Sequence, residues 1–145
     1  MTPQRVTLIT LGVDDLERSK AFYAALGWTP TREIDGNVVF YQINGMALGI
    51  FGRNALAKEQ HRPVAELGTG AMTLSQNMET KADVDAAYTE AIAAGGTPLA
   101  PPSNMSWGGY SSYFADPDGH VWELGYNPFW PLNDDGSLTL PTDAD

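Results

Sequence analysis

The fold is decided by the stretch from Trp107 to Pro128, W-G-G-Y-S-S-Y-F-A-D-P-D-G-H-V-W-E-L-G-Y-N-P. Its centre, Asp116-Pro117-Asp118-Gly119, has proline where a tight turn needs a fixed φ, and glycine where the chain needs a positive φ. The flanks, 111–115 and 120–126, are rich in aromatic and β-branched residues, which is typical of half-buried strands. The stretch therefore predicts a β-hairpin.

Glu123 is the sharpest chemical feature of this hairpin. It lies between Trp122 and Leu124, and alternation along a strand directs its carboxylate to the face opposite these two apolar side chains. In a mostly apolar surrounding we expect its pKa to rise, which would suit a general acid or base. Alternatively, Glu123 anchors a ligand amine or hydroxyl. In a purely structural role it would pair with a neighbour, for which the candidates are Arg32, Arg53, Thr73 and Asn77.

Length and charge limit the classes of function. At 145 residues the chain suggests one compact domain, or two small halves that share a core. Eight basic and 18 acidic residues give a net charge of −10, which argues against nucleic acid or an anionic membrane as partner and favours neutral or cationic ligands. The absence of cysteine excludes disulfides and thiolate chemistry. The first residues do not resemble a signal peptide, so we expect a cytoplasmic protein.

Residues 6–51 predict one strand, one helix and three strands. The first strand covers 6–13, and the helix begins after Asp14 or Asp15 and ends at Gly27. Turn signals at 35–36 and 44–45 then separate short strands at 29–34, 37–43 and 46–51. Residues 52–68 are interpreted as a linker with a helical turn near 55–60.

The same order of elements returns in the second half of the chain. A strand at 70–78 precedes a helix that is capped by Thr80 and stopped at Gly95, and a short strand at 97–100 leads to the hairpin. The sequence therefore predicts an α+β fold of two βαβββ modules. The first module is 1–62 with the start of the linker, the second is 63–128, and 129–145 form a C-terminal extension of one compact domain.

Three motifs resemble those of the vicinal oxygen chelate superfamily, which includes glyoxalase I, bleomycin resistance proteins and extradiol dioxygenases. These motifs are Gly12-Val13-Asp14-Asp15-Leu16 with Phe22-Tyr23, Val84-Asp85-Ala86-Ala87, and Phe114-x-Asp116-Pro117-Asp118-Gly119-His120-x-x-Glu123-Leu124. The resemblance covers about residues 6–128. It implies paired βαβββ modules whose mixed sheets form a cup, usually within a homodimer. Fold is transferred by such a resemblance more securely than chemistry.

In metal-dependent members of that superfamily the cup holds a divalent ion, and the resemblance implies ligand positions at Leu8, Gly49, Thr73 and Glu123. Only Glu123 binds such an ion well, and a divalent ion needs several N or O donors from the protein. His61 falls in the linker and His120 at the hairpin corner. We therefore expect no cofactor, with a divalent metal held through Glu123 as the less favoured alternative.

Residues on the same face as Glu123 are mostly small or weakly polar, which predicts an open pocket. The candidate ligand-binding residues are Thr10, Phe51, Thr73, Ser75, Trp107, Tyr110 and Glu123. The glycines between Trp107 and Tyr110 suit a loop that lays flat rings against a planar or cationic ligand. Aromatic side chains such as Trp107, Tyr110 or Phe40 could instead fill the space.

Three functions are compatible with these features. The first is a small-molecule binding protein, similar to the bleomycin resistance branch, that holds an aromatic or cationic compound without a metal. The second is a lyase, isomerase or dioxygenase that uses Glu123 as its catalytic residue, with or without a metal. The third is a protein-interaction module that docks a partner on Phe129 and Trp130.

Overall fold

The computed structural model describes residues 1–142 and divides the chain into two compact units, Met1–Thr69 and a second that starts at Gly70. Asp143 and Asp145, at the end of the predicted extension, lie outside the described residues. Over residues 1–142, no helix is both long and apolar enough to span a membrane.

The first unit contains one four-stranded mixed sheet and two helices. Its elements are β1 (Leu8–Val13), α1 (Leu16–Ala25), β2 (Arg32–Ile34), β3 (Val38–Ile43), β4 (Met46–Gly52) and α2 (Arg53–Glu59). The sheet order is β1-β4-β3-β2, with β1 parallel to β4. The predicted cap of α1 is confirmed, because the Asp15 carboxylate accepts a hydrogen bond from the Arg18 N–H at 3.1 Å.

The second unit repeats this order around one helix. Its elements are β5 (Thr73–Asn77), α3 (Lys81–Ala93), β6 (Thr97–Asn104), β7 (Tyr110–Ala115) and β8 (Val121–Tyr126). The sheet order is β5-β8-β7-β6, with β5 parallel to β8. Thr80 caps α3 as predicted, because its hydroxyl oxygen accepts a hydrogen bond from the Asp83 N–H at 3.1 Å. Two four-stranded mixed sheets with three helices confirm the predicted α+β class.

The hairpin between β7 and β8 is closed by the predicted turn. Its two backbone hydrogen bonds join Asp116 N–H to His120 O at 2.9 Å and Gly119 N–H to Asp116 O at 3.0 Å. The Asp116 carboxylate also accepts the N–H groups of Asp118 and His120, each at 2.9 Å. Gly119 has φ +90°, a conformation that glycine adopts without strain. The turn thereby fixes the register that sets Tyr113 opposite Glu123.

β6 is longer than predicted and runs through Pro101 and Pro102. It lies at the sheet edge, where a missing N–H costs little, and its pairing with β7 is irregular on both sides of Ala100. The strand predicted at 97–100 therefore continues through both prolines to Asn104.

The face opposite Glu123 forms most of the core, as alternation predicts. In the first unit Leu11, Leu48 and Ile50 are buried, and in the second Trp122 and Leu124 are buried. Alternation along the predicted strand 70–78 also places Met72 on this core face, but the structure does not bury it. Its side chain is 51% exposed because β5 begins only at Thr73, one residue later.

Replacing Leu124, which is 2% exposed, with alanine is expected to lower the free energy of unfolding by about 2–5 kcal/mol, since it leaves a cavity beneath β8. Leu99→Ala is the control, because Leu99 is exposed on β6 and its truncation should cost about 0.5 kcal/mol or less. Chemical denaturation of both variants measures the difference. Equal losses would contradict the assignment of Leu124 to the core.

Candidate functional site

Glu123 lies in the middle of the second sheet, because β8 is flanked by β5 on one side and β7 on the other. Ser75 is its neighbour on β5 and Tyr113 is its partner on β7. The Ser75 hydroxyl donates to Glu123 Oε1 at 2.7 Å. The hydroxyls of Ser111 and Tyr113 donate to Oε2 at 2.7 and 2.8 Å. Three hydroxyls from two neighbouring strands therefore converge on one carboxylate.

These hydrogen bonds determine the charge of Glu123. Partial burial acts to raise its pKa, but the hydroxyls of Ser111, Ser75 and Tyr113 together outweigh burial and hold the pKa below its ordinary value. The same contact raises the pKa of the Tyr113 phenol, chiefly through its hydrogen bond to Glu123. At neutral pH the site therefore contains an ionised carboxylate and a neutral phenol.

Two expectations for Glu123 are corrected by this arrangement. Its pKa was predicted to rise with burial, and the direction is wrong because three donors stabilise the charged form. The suggested structural pairing named Arg32, Arg53, Thr73 or Asn77, whereas the partners are Ser75, Ser111 and Tyr113.

The Glu123 carboxylate can accept a further hydrogen bond from a ligand. A carboxylate has about four lone-pair positions, and three are filled by the hydroxyl donors. The remaining position is on Oε1, for which Ser75 is the one hydroxyl donor among residues 1–142. A ligand that reaches Glu123 therefore gains most by offering an N–H or O–H donor, and an ammonium group adds charge attraction.

Glu123 lines a cavity of about 480 Å³ within the second unit. This volume is in the usual range for small-molecule sites. The wall combines five aromatic side chains with a few polar groups. Its lining residues are Asn77, Trp107, Tyr110, Ser111, Glu123, Gly125, Tyr126, Asn127, Phe129 and Trp130.

Two glycines allow aromatic rings to lie close to the backbone at one side of this cavity. A Cβ atom at Gly109 would overlap the Trp107 indole, so the ring covers this glycine. A Cβ at Gly108 would lie 3.0 Å from the Phe129 ring, and Gly108 also has φ +106°. The glycines of the Trp107-Gly108-Gly109-Tyr110 segment therefore make room for two aromatic rings, those of Trp107 and Phe129. The Phe129 ring comes from the C-terminal extension.

Tyr110 is fixed from the side of helix α3. Its hydroxyl donates to the Asp85 carboxylate at 2.6 Å, and this hydrogen bond is the main cause of the raised Tyr110 pKa. Lys81 Nζ lies 5.5 Å from the centroid of the Tyr110 ring and donates to Asn104 Oδ1 at 2.9 Å. The ring therefore has a defined position in the cavity wall before any ligand binds.

Gly125 keeps the cavity open next to Glu123. A Cβ at this position would be 3.9 Å from Glu123 Cδ and 3.8 Å from Asn77 Oδ1, both ordinary contact distances. A methyl group would be tolerated there, whereas a longer side chain would extend over the carboxylate. Glycine at 125 therefore contributes space for a ligand.

The corresponding pair in the first unit has no charged group. Thr10 on β1 is the neighbour of Gly49 on β4, in the way that Ser75 is the neighbour of Glu123. A Cβ at Gly49 would lie 3.1 Å from the Phe40 ring, so this aromatic ring occupies the space where a longer side chain would project. The prediction that Phe40 could fill such space is correct at this position.

The register shows which residues lie beside the positions implied by the family resemblance. Leu8 is the neighbour of Ala47, and Thr73 is the neighbour of Val121. The side chains next to Gly49 and Glu123 are instead two residues further along, at Thr10 and Ser75. A sequence comparison gives the strands, but it does not give the stagger between parallel neighbours.

These residues do not fit a divalent metal. Glu123 is one carboxylate whose partners direct O–H groups at it, and Thr10 and Gly49 supply no strong ligand in the first unit. Divalent ions need several N or O donors with free lone pairs. Among residues 1–142, no three or more His, Cys, Asp or Glu side chains form a group that could hold a metal ion.

Of the predicted ligand-binding residues, Trp107, Tyr110 and Glu123 line the cavity, and Ser75 donates a hydrogen bond to Glu123. Thr73 is the neighbour of Val121, which lies two residues before Glu123 on β8. Thr10 and Phe51 belong to the first unit. Thr10 is the neighbour of Gly49, and Phe51 lies between Val38 and Gly12 on the two adjacent strands.

Sequence reasoning missed several residues of the site. Ser111 and Tyr113 were recoverable, since counting outward from the hairpin turn sets Tyr113 opposite Glu123. Phe129 and Trp130 entered the sequence analysis only through the alternative of a partner surface, and in the structure both line the cavity. Nothing in a local pattern indicates that a chain segment beyond β8 returns to the Trp107 loop.

Comparison with known proteins places these features in a wider group. The model of the Glyoxalase/Bleomycin resistance protein/Dioxygenase superfamily matches residues 5–124. Comparison with curated proteins gives no match. Among solved structures, the chain is similar to a glyoxalase-related enzyme from Fulvimarina pelagi, with 36% identity and a TM-score of 0.89 over 97% of this chain and 100% of that one.

Two further structures show the range of proteins that share this architecture. A lactoylglutathione lyase from Agrobacterium tumefaciens is 25% identical, with a TM-score of 0.69 over 91% of this chain and 100% of that one. A fosfomycin resistance protein from Listeria monocytogenes is 22% identical, with a TM-score of 0.67 over 87% of this chain and 95% of that one. At this last level of identity the likeness concerns the fold alone.

Ser111→Ala is expected to raise the pKa of Glu123, because it removes one of the donors that stabilise the ionised form. The adjacent Ser112→Ala is the matched control, since the Ser112 hydroxyl donates to the Leu124 carbonyl and not to Glu123. Titration of the Glu123 carboxyl carbon by NMR measures both variants. An unchanged pKa in Ser111→Ala would contradict the proposed control of charge.

The direction of the pKa shift also sets the pH dependence of stability. Because the folded-state pKa is lowered, the ionised carboxylate stabilises the fold at pH values above the unfolded-state pKa. That contribution is lost as the pH falls through the folded-state pKa.

Proposed function

Because the chain belongs to the glyoxalase/bleomycin resistance protein/dioxygenase superfamily, we propose that it is a small-molecule binding protein that holds an organic cation in the cavity beside Glu123. The observation that carries this proposal is the ionised carboxylate in the wall of an aromatic-lined cavity. The ligand contributes a hydrogen-bond donor to Glu123 Oε1 and an apolar group to the rings. No metal takes part in this binding.

The charge and composition of the cavity support a cation over an anion or a neutral molecule. Glu123 is the charged side chain among the lining residues, and it is negative. Aromatic faces attract cations through their negative quadrupole, so the rings and the carboxylate favour the same ligand charge. The net charge of −10 favours the approach of a cation from solution.

A low pKa is better suited to binding than to proton transfer. A general acid or base is most effective when its pKa lies near the working pH, and Glu123 is displaced away from neutrality. An ionised carboxylate remains available to a cation over the whole neutral range. These points favour Glu123 as an anchor.

Catalysis is the second candidate, and the observation behind it is the 36% identical structure described as a glyoxalase-related enzyme. In this case Glu123 would orient a polarised substrate and other groups would supply the chemistry. Recovery of the bound compound unchanged after prolonged incubation separates binding from turnover.

Glu123→Gln is expected to weaken binding of naphthylmethylammonium at least tenfold, since it removes the charge but keeps the size of the side chain. The neutral isostere naphthylmethanol should bind the wild-type protein more weakly than the ammonium compound and should be little affected by the substitution. Glu90→Gln, on an exposed position of α3, is the control for net charge. Isothermal titration calorimetry measures all three proteins. Equal affinity for the ammonium compound and the alcohol in the wild-type protein would overturn the proposal.

Gly125→Leu is expected to abolish binding of the same probe, because the longer side chain extends into the cavity beside Glu123. Gly125→Ala is the matched control, since its Cβ makes only ordinary contacts and should leave a folded protein that still binds. Affinity and melting temperature are measured for both variants. Undiminished binding by a folded Gly125→Leu protein would show that the ligand lies elsewhere.

A further inference from the structure

We propose that the segment Asn127–Trp130 determines specificity, and that it selects cations which carry a flat aromatic group over cations of equal size with a saturated group. This inference rests on the proposed function, because it names the class of ligand that the same cavity takes. It assigns to Phe129 and Trp130 a role in ligand selection.

The segment lies beyond the part of the chain that the family model matches. That match ends at residue 124, whereas Phe129 and Trp130 line the cavity together with residues of β5, β7 and β8. The strands supply the Glu123 carboxylate and its three hydroxyl partners, and all four residues lie within the range that the family model matches. The extension adds two large rings, so it changes the kind of surface that a ligand meets.

Both rings are exposed to an unusual degree for residues so large and apolar. Phe129 is 62% exposed and Trp130 is 40% exposed, and Trp107 in the same wall is 52% exposed. Apolar surface of this size remains in contact with water unless another molecule covers it. Because the three rings border one cavity, a single ligand is able to cover parts of all of them.

The position of the rings is set by local hydrogen bonds as well as by packing. The Asn127 side chain accepts the Phe129 N–H at 2.9 Å, and the Asn127 carbonyl accepts the Trp130 N–H at 3.2 Å. This tight turn directs Phe129 to Gly108, where the absence of a Cβ leaves room for the ring. A second closed turn follows, in which Leu132 pairs with Leu138. The rings are therefore preorganised, which lowers the entropy lost on binding.

Preorganised rings distinguish a flat ligand from a puckered one. Aromatic pairs prefer offset-stacked or edge-to-face contacts, which contribute about 0.5–1.5 kcal/mol beyond the area that they bury. A saturated ring of the same size buries similar area but lacks this additional contribution. The preference should therefore depend on Phe129 and Trp130, while the attraction of the ammonium group depends on Glu123.

The test compares naphthylmethylammonium with decahydronaphthylmethylammonium, its saturated counterpart, by isothermal titration calorimetry. We expect the wild-type protein to bind the aromatic compound at least about threefold more tightly. Phe129→Leu and Trp130→Leu keep an apolar side chain but remove the ring, so each should bring the ratio of the two affinities closer to one. Leu140→Ala is the control within the same extension, because Leu140 is exposed and is not among the residues that line the cavity, and it should leave the ratio unchanged.

The outcomes separate this inference from the proposed function. A wild-type ratio near one, or a ratio that Phe129→Leu and Trp130→Leu leave unchanged, would overturn the inference while Glu123-dependent binding still supports the proposed function. A change of molecular mass in these two variants by light scattering, with the ratio intact, would assign the rings to a protein interface and also overturn it. If Phe129→Leu and Trp130→Leu lose the aromatic preference while binding of the ammonium compound still depends on Glu123, the inference and the proposed function are both supported. If the wild-type protein bound none of the probes, both would fail.

Discussion

The structure of the site depends on one interaction, the convergence of three hydroxyls on the Glu123 carboxylate. A partly buried carboxylate without donors would lose its charge more readily, because burial penalises the ionised form. Here Ser75 comes from the parallel neighbour of β8, and Ser111 and Tyr113 come from the antiparallel neighbour. The central position of β8 in its sheet therefore brings the donors that lower the pKa of Glu123 to it from both sides.

The hydrogen bonds to Glu123 also bear on whether this carboxylate could hold a metal. Hydroxyls that donate to a carboxylate stabilise it, but they take lone pairs that a metal would need and provide no strong ligand themselves. In the first unit, Gly49 occupies the equivalent position and the Phe40 ring lies against it. The two units thus share an architecture, and in the second a charged group borders a cavity that is lined by aromatic rings.

The sequence predicted the fold well because its signals are local. Asp116 to Gly119 specify a turn by their own backbone preferences, Asp15 and Thr80 cap helices through their own side chains, and alternation separates core from site. The site was predicted only in part, since it depends on relations between distant segments. The stagger of β5 against β8 places Ser75 and not Thr73 beside Glu123, and the approach of Phe129 to Gly108 follows from the path of the chain after β8. The pKa was predicted in the wrong direction for the same reason, because its donors lie on other strands.

The most direct measurement of this account is the pKa of Glu123, determined by NMR titration of its carboxyl carbon in the free protein and in the protein saturated with naphthylmethylammonium. We expect a pKa below the ordinary range of a glutamate in the free protein and a further decrease when the cation is bound, because an opposite charge nearby stabilises the ionised form. A pKa at or above the ordinary range in the free protein, or one that does not fall on binding, would contradict it.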